Sequence, residues 1–283
     1  MYAESFEYHA PGNLKEALGL LGQYGGDAKI VTGGMSLIPL MKLRLAAPKH
    51  LIDLRKISGF GGVSEAGGKI VIGAGTTHYG LESSSLLKSK CPLVAQTAAE
   101  IGDAQVRNRG TIGGSLVHAD PAADLPAAMI ALDAELTLSG KSERKVAAKD
   151  FFVDTLTSAI KPDEILTKIT VPATGKNTTY LKCPHPASGF AIVGVAVCLE
   201  MSGKSCKKAA IGITGVSGKA FRAAAVEQAL AGKTLDAATI AEAAAQVTKD
   251  IKDPLDDPLS ASAEYRINLA KVYTGRAIQA AAG

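Results

Sequence analysis

Two short segments of one pattern constrain this chain most: Thr32-Gly33-Gly34-Met35-Ser36 and Thr111-Ile112-Gly113-Gly114-Ser115. Each sets a Gly-Gly pair between Thr and Ser hydroxyls. The first follows the apolar run Lys29-Ile30-Val31 and precedes a helical pattern from Leu37, so it falls at a strand-to-helix junction. Glycine removes the Cβ that keeps a ligand off the backbone, and it permits positive φ. Successive N–H groups in such a turn form an anion-binding concavity, and a following helix N-terminus adds a favourable dipole. The pair therefore reads as two halves of a clamp on a nucleotide pyrophosphate. One Gly-Gly turn is a weak sign in a chain of 30 glycines; two of the same chemistry carry more.

Other nucleotide folds are disfavoured. No G-x-G-x-x-G follows a strand, there is no P-loop, and Gly212, Gly215 and Gly218 have the wrong spacing. The four cysteines, Cys91, Cys183, Cys198 and Cys206, form no C-x-x-C pair, so no cluster or structural zinc is expected here. His50, His78 and His185 do not group with Cys or carboxylates at metal-ligand spacing, and no metal is expected. His118 reads as a packing or hydrogen-bonding residue. The net charge is +4, and its nearest basic cluster, Lys204, Lys207 and Lys208, flanks Cys206 in a hairpin turn. That is a solvated turn rather than a nucleic-acid patch. No apolar run reaches the roughly 20 residues of a membrane span, and Met1–Glu7 lacks a basic, then apolar, leader. A cytoplasmic protein is expected, with the possibility of peripheral attachment at the inner membrane face through a complex. No Ser–His–Asp arrangement is recognisable, and no catalytic residue is assigned.

With 283 residues the chain can hold two domains. Leu14, Ala17, Leu18 and Leu21 predict a helix capped by Asn13. Strands are predicted at Lys29–Val31 and His50–Leu54, with a helix over Leu37–Leu45, so residues 1 to about 57 form a small α/β unit. A second unit, about 58–175, has predicted strands at 69–74, 136–138, 145–147 and 165–171. Its helices are predicted at 77–84, 92–101 and 125–132, and Gln105–Arg109 is a polar lead-in. Turn-rich Pro172–Asn177 marks a boundary. After it, Phe190–Met201 and Ala209–Val216 read as a β-hairpin. The Ala-rich tail, about 224–282, reads as helices over a small sheet. Asp120 and Asp124 lie four apart: Asp124 is a helix N-cap or a cofactor ligand, and Asp120 a loop-structural residue. Arg107 and Arg109 either neutralise phosphate, steer a partner, or sit in a solvated loop.

The residues around both Gly-Gly pairs resemble a known family. Thr32 through Leu45 is similar to the first FAD loop of the medium subunits of aerobic carbon monoxide dehydrogenases. Arg107-Asn108-Arg109-Gly110 through Asp124-Leu125-Pro126 resembles their second loop closely, and Lys182-Cys183-Pro184-His185 through Ala191 a third segment. The similarity runs from about Tyr8 to the end. The resemblance implies an α+β fold: a vanillyl-alcohol-oxidase (PCMH)-type FAD-binding domain of two α/β subdomains over 1–175, then a small antiparallel sheet with helices over 176–283. It implies FAD contacts at Thr32, Gly33, Gly34, Met35, Ser36, Thr111, Ile112, Gly113, Gly114 and Ser115. Asp124 matches an acidic residue that hydrogen-bonds FAD, Lys182 a lysine near the isoalloxazine, and Ile101 and Leu166 apolar contacts. Phe190 falls where some relatives place a ring-stacking aromatic. Met35 departs from the pattern, since many relatives have His there. The change alters the flavin's surroundings if the side chain faces it and is silent if only the N–H matters.

In the resembled family substrate is oxidised at a molybdenum–molybdopterin centre on a large subunit. Electrons then cross two [2Fe–2S] clusters on a small subunit, reach FAD and leave for an acceptor such as a quinone. The resemblance therefore implies a dimer of heterotrimers, with this chain as the electron-transfer flavoprotein. Three other readings are carried: the medium subunit of a purine, nicotinate, other N-heterocycle or aldehyde hydroxylase, a stand-alone flavin oxidoreductase, and a non-catalytic nucleotide-binding module.

Overall fold

The computed structural model describes residues 2–257 and 259–283. The chain begins with a three-stranded parallel sheet in the spatial order Glu7–His9, His50–Asp53, Ala28–Val31. Helix Leu14–Tyr24 packs Ala17 and Leu21 into the core. Asn13 caps it as the sequence suggests: its Oδ1 accepts from Glu16 N–H, while Glu16 Oε2 accepts from Gly12 N–H. The edge strand Glu7–His9 has no sequence signal, being three residues long and without a buried position. The helix after the first Gly-Gly stops early, spanning Leu37–Lys42. Arg44 adopts φ 60°, and the N–H groups of Leu45 and Ala46 both turn back to Leu40 O.

The second sheet has five strands in the order Val63–Ala66, Lys69–Gly73, Ile165–Pro172, Glu135–Ser139, Glu143–Ala147. Every pairing in it is antiparallel. Residues 77–131 carry helices onto this sheet, and they include two departures from expectation. Ala104–Arg109 is a helix rather than a polar lead-in, because Asp103 Oδ1 caps Val106 N–H. The second Gly-Gly is not a loop: Gly113 and Gly114 lie in the first turn of helix Ile112–His118.

The third sheet, Thr178–Pro184, Ala191–Ser202, Ser205–Thr214 and Phe221–Arg222, is antiparallel. The predicted hairpin is present, with Gly203 at φ 58° in its turn. The strand begins at Ala191, so Phe190 stays in the preceding loop. Helices Ala224–Leu230, Ala237–Ala245 and Ala263–Ala282 cover one face. Helix Leu125–Ala131 packs against the sheet as well. All seven residues of that short helix are buried, which is why its sequence, LPAAMIA, shows no polar face. It sits between the two larger sheets and joins their cores. Among the described residues no helix is long and apolar enough to cross a membrane, and the four cysteines are free.

Gly212 sets how closely this joining helix meets the third sheet. A Cβ there would lie on the Ala127 carbonyl, 2.9 Å from its carbon and 3.1 Å from Ala127 Cα. Gly212→Ala should therefore cost about 1–3 kcal/mol, the usual range for overpacking. The apparent Tm should fall by roughly 3–10 °C. Gly175→Ala, where an added Cβ meets nothing within 4 Å, should stay within about 0.5 kcal/mol. Thermal melts of both variants check the pair.

Candidate functional site

The chain leaves the parallel sheet at Val31 and passes straight into the first Gly-Gly. Gly34 takes φ 75°, and Ile38 N–H closes the following helix onto Gly34 O. Between these points the N–H groups of Gly33, Gly34, Met35 and Ser36 have no acceptor among the described residues. They border a cleft of about 680 Å³. That is a row of main-chain donors beside a cavity of the size that takes small-molecule cofactors.

The second Gly-Gly has a different job. Ile112 N–H donates to Thr76 O at 3.0 Å, and Gly113 N–H to Ala74 O at 2.9 Å. Gly114 N–H donates to the Thr111 hydroxyl at 3.2 Å, which caps the helix. These donors are already committed, so the expectation of two equivalent nests does not hold. Gly113 is glycine because a Cβ would lie 2.7 Å from Ala74 O. From this segment Thr111, Gly113, Gly114 and Ser115 border the cleft.

The two motifs also grip each other. Thr32 Oγ1 and Thr111 Oγ1 are 2.8 Å apart. A Cβ on Gly33 would press into the Arg109 carbonyl and lie 2.7 Å from Gly110 Cα. Arg109 thus contributes its backbone. Arg107 faces inward, its Nε on Glu82 at 2.9 Å and its Nη1 on the Ile101 and Gly102 carbonyls. It is neither a phosphate ligand nor a solvated side chain.

Thr32, Gly33, Gly34, Met35, Ser36, Ile101, Thr111, Gly113, Gly114, Ser115, Asp124, Leu166 and Phe190 all line this one cleft. Ile112 and Lys182 do not. The Ile112 side chain is fully buried in the core. Lys182 lies behind Asp124: its ammonium is 3.0 Å from Asp124 Oδ1 and donates to Glu100 O at 2.6 Å. Asp124 occupies the position before helix Leu125–Ala131 but does not cap it with its side chain. Its carboxylate instead accepts from Tyr180 Oη at 2.5 Å and from Lys182. Burial pushes the Asp124 carboxyl up to about 6, against the pull of the Lys182 ammonium and the Tyr180 hydroxyl. Burial and the neighbouring Asp124 raise the Tyr180 phenol as well. Asp120 Oδ1 accepts from Ala122 N–H at 2.8 Å, and Asp120 also borders the cleft.

Several cleft residues escaped the sequence reading. Phe60, Ile160 and Ile165 add apolar wall, and Ser188 and Gly189 carry the third sheet's loop to the rim beside Phe190. His118 lines the cleft too. The most informative is His78. It is buried, it faces the cleft, and its Nδ1 has no partner among the described residues. Burial, aided by Arg107, pushes its pKa down to about 4, so the ring is neutral. The available signal was Thr77, which caps His78–Ser83 through Gly80 N–H and bridges to Thr111.

The site fits an extended dinucleotide. The N–H groups at 33–36 are donors suited to phosphates, Ile101, Leu166 and Phe60 are apolar walls suited to a ring, and Asp124 is a buried acceptor. A parallel-sheet lobe and an antiparallel-sheet lobe around such a cleft, followed by a third sheet, define a PCMH-type FAD-binding domain with a C-terminal domain. Comparison with known proteins narrows this class. Residues 4–174 match the FAD-binding domain in molybdopterin dehydrogenase, and 178–281 the CO dehydrogenase flavoprotein C-terminal domain. The chain belongs to the flavoprotein subunits of the molybdopterin dehydrogenase family. It is 40% identical to the carbon monoxide dehydrogenase medium chain of Afipia carboxidovorans, over 99% of this chain and 98% of that one. It is 35% identical to the glyceraldehyde dehydrogenase medium chain of Sulfolobus acidocaldarius, over 99% of each. Among solved structures it matches carbon monoxide dehydrogenase from Hydrogenophaga pseudoflava lacking the Mo-pyranopterin moiety, with TM-score 0.95 and 41% identity, covering 99% of this chain and 98% of that one.

Two outcomes follow from the geometry. Gly33→Ala should force the two motifs apart and lower flavin retention by about 5- to 150-fold, since about 1–3 kcal/mol of overpacking falls on the binding conformation. Gly22→Ala, in open space, should not change it. Absorbance of the released flavin per chain measures both. For His78, the unfolded ring titrates near 6.5 and the folded ring near 4. Its depressed folded pKa means that its stabilisation is complete above pH 6.5 and is lost as pH falls through about 4. The stability advantage of the native chain over His78→Gln should therefore shrink by up to ~3 kcal/mol across that window, as read by urea unfolding.

Proposed function

We propose that this chain is the FAD-bearing, electron-transferring medium subunit of a molybdenum hydroxylase of the aerobic carbon monoxide dehydrogenase type. The observation that carries the proposal is the cleft itself: unpaired N–H groups at Gly33–Ser36 face apolar walls and the buried Asp124 across one cavity. Bound FAD supplies exchange between one-electron and two-electron carriers, and the protein's part is to hold and orient it. In this reading the Gly33–Ser36 N–H groups hold the pyrophosphate, with Thr32, Thr111, Gly114 and Ser115 closing around it. Ile101 and Leu166 border the ring, and Phe190 closes the rim from the C-terminal domain. Asp124 accepts a hydrogen bond from the cofactor. Lys182 holds the charge of Asp124 in place, and Ile112 and Gly113 anchor the second motif to residues 74–76. We divide the chain between residues 175 and 176.

The partners in this reading are a large subunit with molybdenum–molybdopterin and a small subunit with two [2Fe–2S] clusters, arranged as a dimer of heterotrimers in the cytoplasm. The external acceptor is a quinone or similar carrier. Support comes from 40% identity to a carbon monoxide dehydrogenase medium chain across nearly the whole length. A second reading, the medium subunit of an aldehyde hydroxylase, draws on the 35% identity to a glyceraldehyde dehydrogenase chain.

The complex isolated from its native source should contain one FAD per copy of this chain, together with molybdenum and iron. Carbon monoxide should bleach the flavin absorbance under anaerobic conditions. Bleaching by an aldehyde and not by carbon monoxide would replace the first reading with the second. A complex without flavin would sink both.

A further inference from the structure

Glu7, His9 and His50 meet on one face of the parallel sheet, away from the cleft described above. Residues i and i+2 of a strand share a face, which puts Glu7 and His9 together. The parallel register sets Glu7 opposite His50 on the neighbouring strand. His9 Nε2 lies 3.2 Å from His50 Nδ1, Glu7 Oε2 lies 3.3 Å from His50 Nδ1, and Glu7 Oε2 lies 3.9 Å from His9 Nε2. A single point about 2 Å from all three atoms exists within that triangle, which is the length of a zinc–nitrogen or zinc–oxygen bond. The rings are held rather than free. Tyr24 stacks on His50 with centroids 3.6 Å apart and on His9 at 5.1 Å. Both imidazoles are mostly buried, while Glu7 is exposed and leaves one side open to water.

We infer that Glu7, His9 and His50 form a site for one divalent transition-metal ion of the zinc class. Two imidazole nitrogens and one carboxylate oxygen are the ligand set such ions prefer over magnesium or calcium. The fourth position would be taken by water. The ion would pin the edge strand Glu7–His9, which has only three residues, to the central strand His50–Asp53. The neighbouring strand Ala28–Val31 delivers the first Gly-Gly, so the clamp would brace the sheet from which that motif departs. The proposal is independent of the flavin reading, since it uses none of the cleft residues.

The test is titration of the tag-free full-length chain with Co²⁺, followed by visible absorption, and with Zn²⁺ by calorimetry. One equivalent should bind, with the d–d bands of low-coordinate cobalt, and Zn²⁺ should displace it and raise the Tm. His9→Gln and His50→Gln should each weaken binding at least ~10-fold, as should Glu7→Ala. His185→Ala and Cys183→Ser should leave binding unchanged, which separates the site from a half-exposed histidine and a half-exposed thiol elsewhere. If His50→Gln unfolds through loss of the Tyr24 stack, His9→Gln decides. Absence of saturable binding would show the histidines to be a hydrogen-bonded pair and overturn the proposal. Equal affinity in His9→Gln would do the same.

Discussion

The structure depends on a close approach of two backbones at Gly33. Its Cα faces the Arg109 carbonyl and Gly110 with no room for a methyl group. One lobe ends its parallel sheet there, and the other begins the turn into helix Ile112–His118. Because these chains touch, the Thr32 and Thr111 hydroxyls fall within 2.8 Å of each other, and the cleft has a floor. A side chain at 33 would separate the lobes before any cofactor arrived. The requirement at this residue is therefore steric first, with conformational freedom used one residue later at Gly34.

The two Gly-Gly motifs look alike in sequence and differ in what their N–H groups do. At 33–36 the donors are unspent. At 112–114 they are consumed by Thr76, Ala74 and Thr111. Composition around a Gly-Gly pair states that the backbone can come close to something. It does not state whether that something is a ligand or the protein's own strand end. The acceptors at 74–76 lie almost forty residues upstream, and no local pattern links them to Gly113.

The same reasoning separates what was legible from what was not. Helix Leu14–Tyr24 was legible because its cap and its apolar spacing are local. The hairpin between Ala191 and Thr214 was legible because both strands are long and apolar. The edge strand Glu7–His9 was not, because three exposed or half-exposed residues hold their shape only by pairing with His50–Ile52. The meeting of His9 with His50 was hidden for the same reason, since it depends on register between strands 41 residues apart. Cleft residues 32–36 were legible from their own chemistry, whereas 101, 166 and 190 were legible only through the resemblance. His78 had only the indirect signal of the Thr77 cap, because the burial that keeps it neutral comes from tertiary packing.

The sequence left Asp124 as either a helix N-cap or a cofactor ligand, and its side chain does not cap the helix. The carboxylate is turned toward the third sheet instead, where Tyr180 and Lys182 meet it. Burying such a pair costs desolvation on both sides, so it is a poor source of stability. Its value lies in geometry. Strand Thr178–Pro184 belongs to the C-terminal sheet, whereas Asp124 and the Glu100 carbonyl belong to the cleft's own lobe. Three charge-assisted or buried hydrogen bonds between them allow one relative placement and penalise any other, because slippage would strand a charge in the interior. That placement is also what sets Phe190 and Gly189, at the end of the same strand's loop, over the mouth of the cleft. The buried ion pair thus transmits the position of the C-terminal domain to the rim of the site, and the Lys182 charge does this from outside the cleft lining.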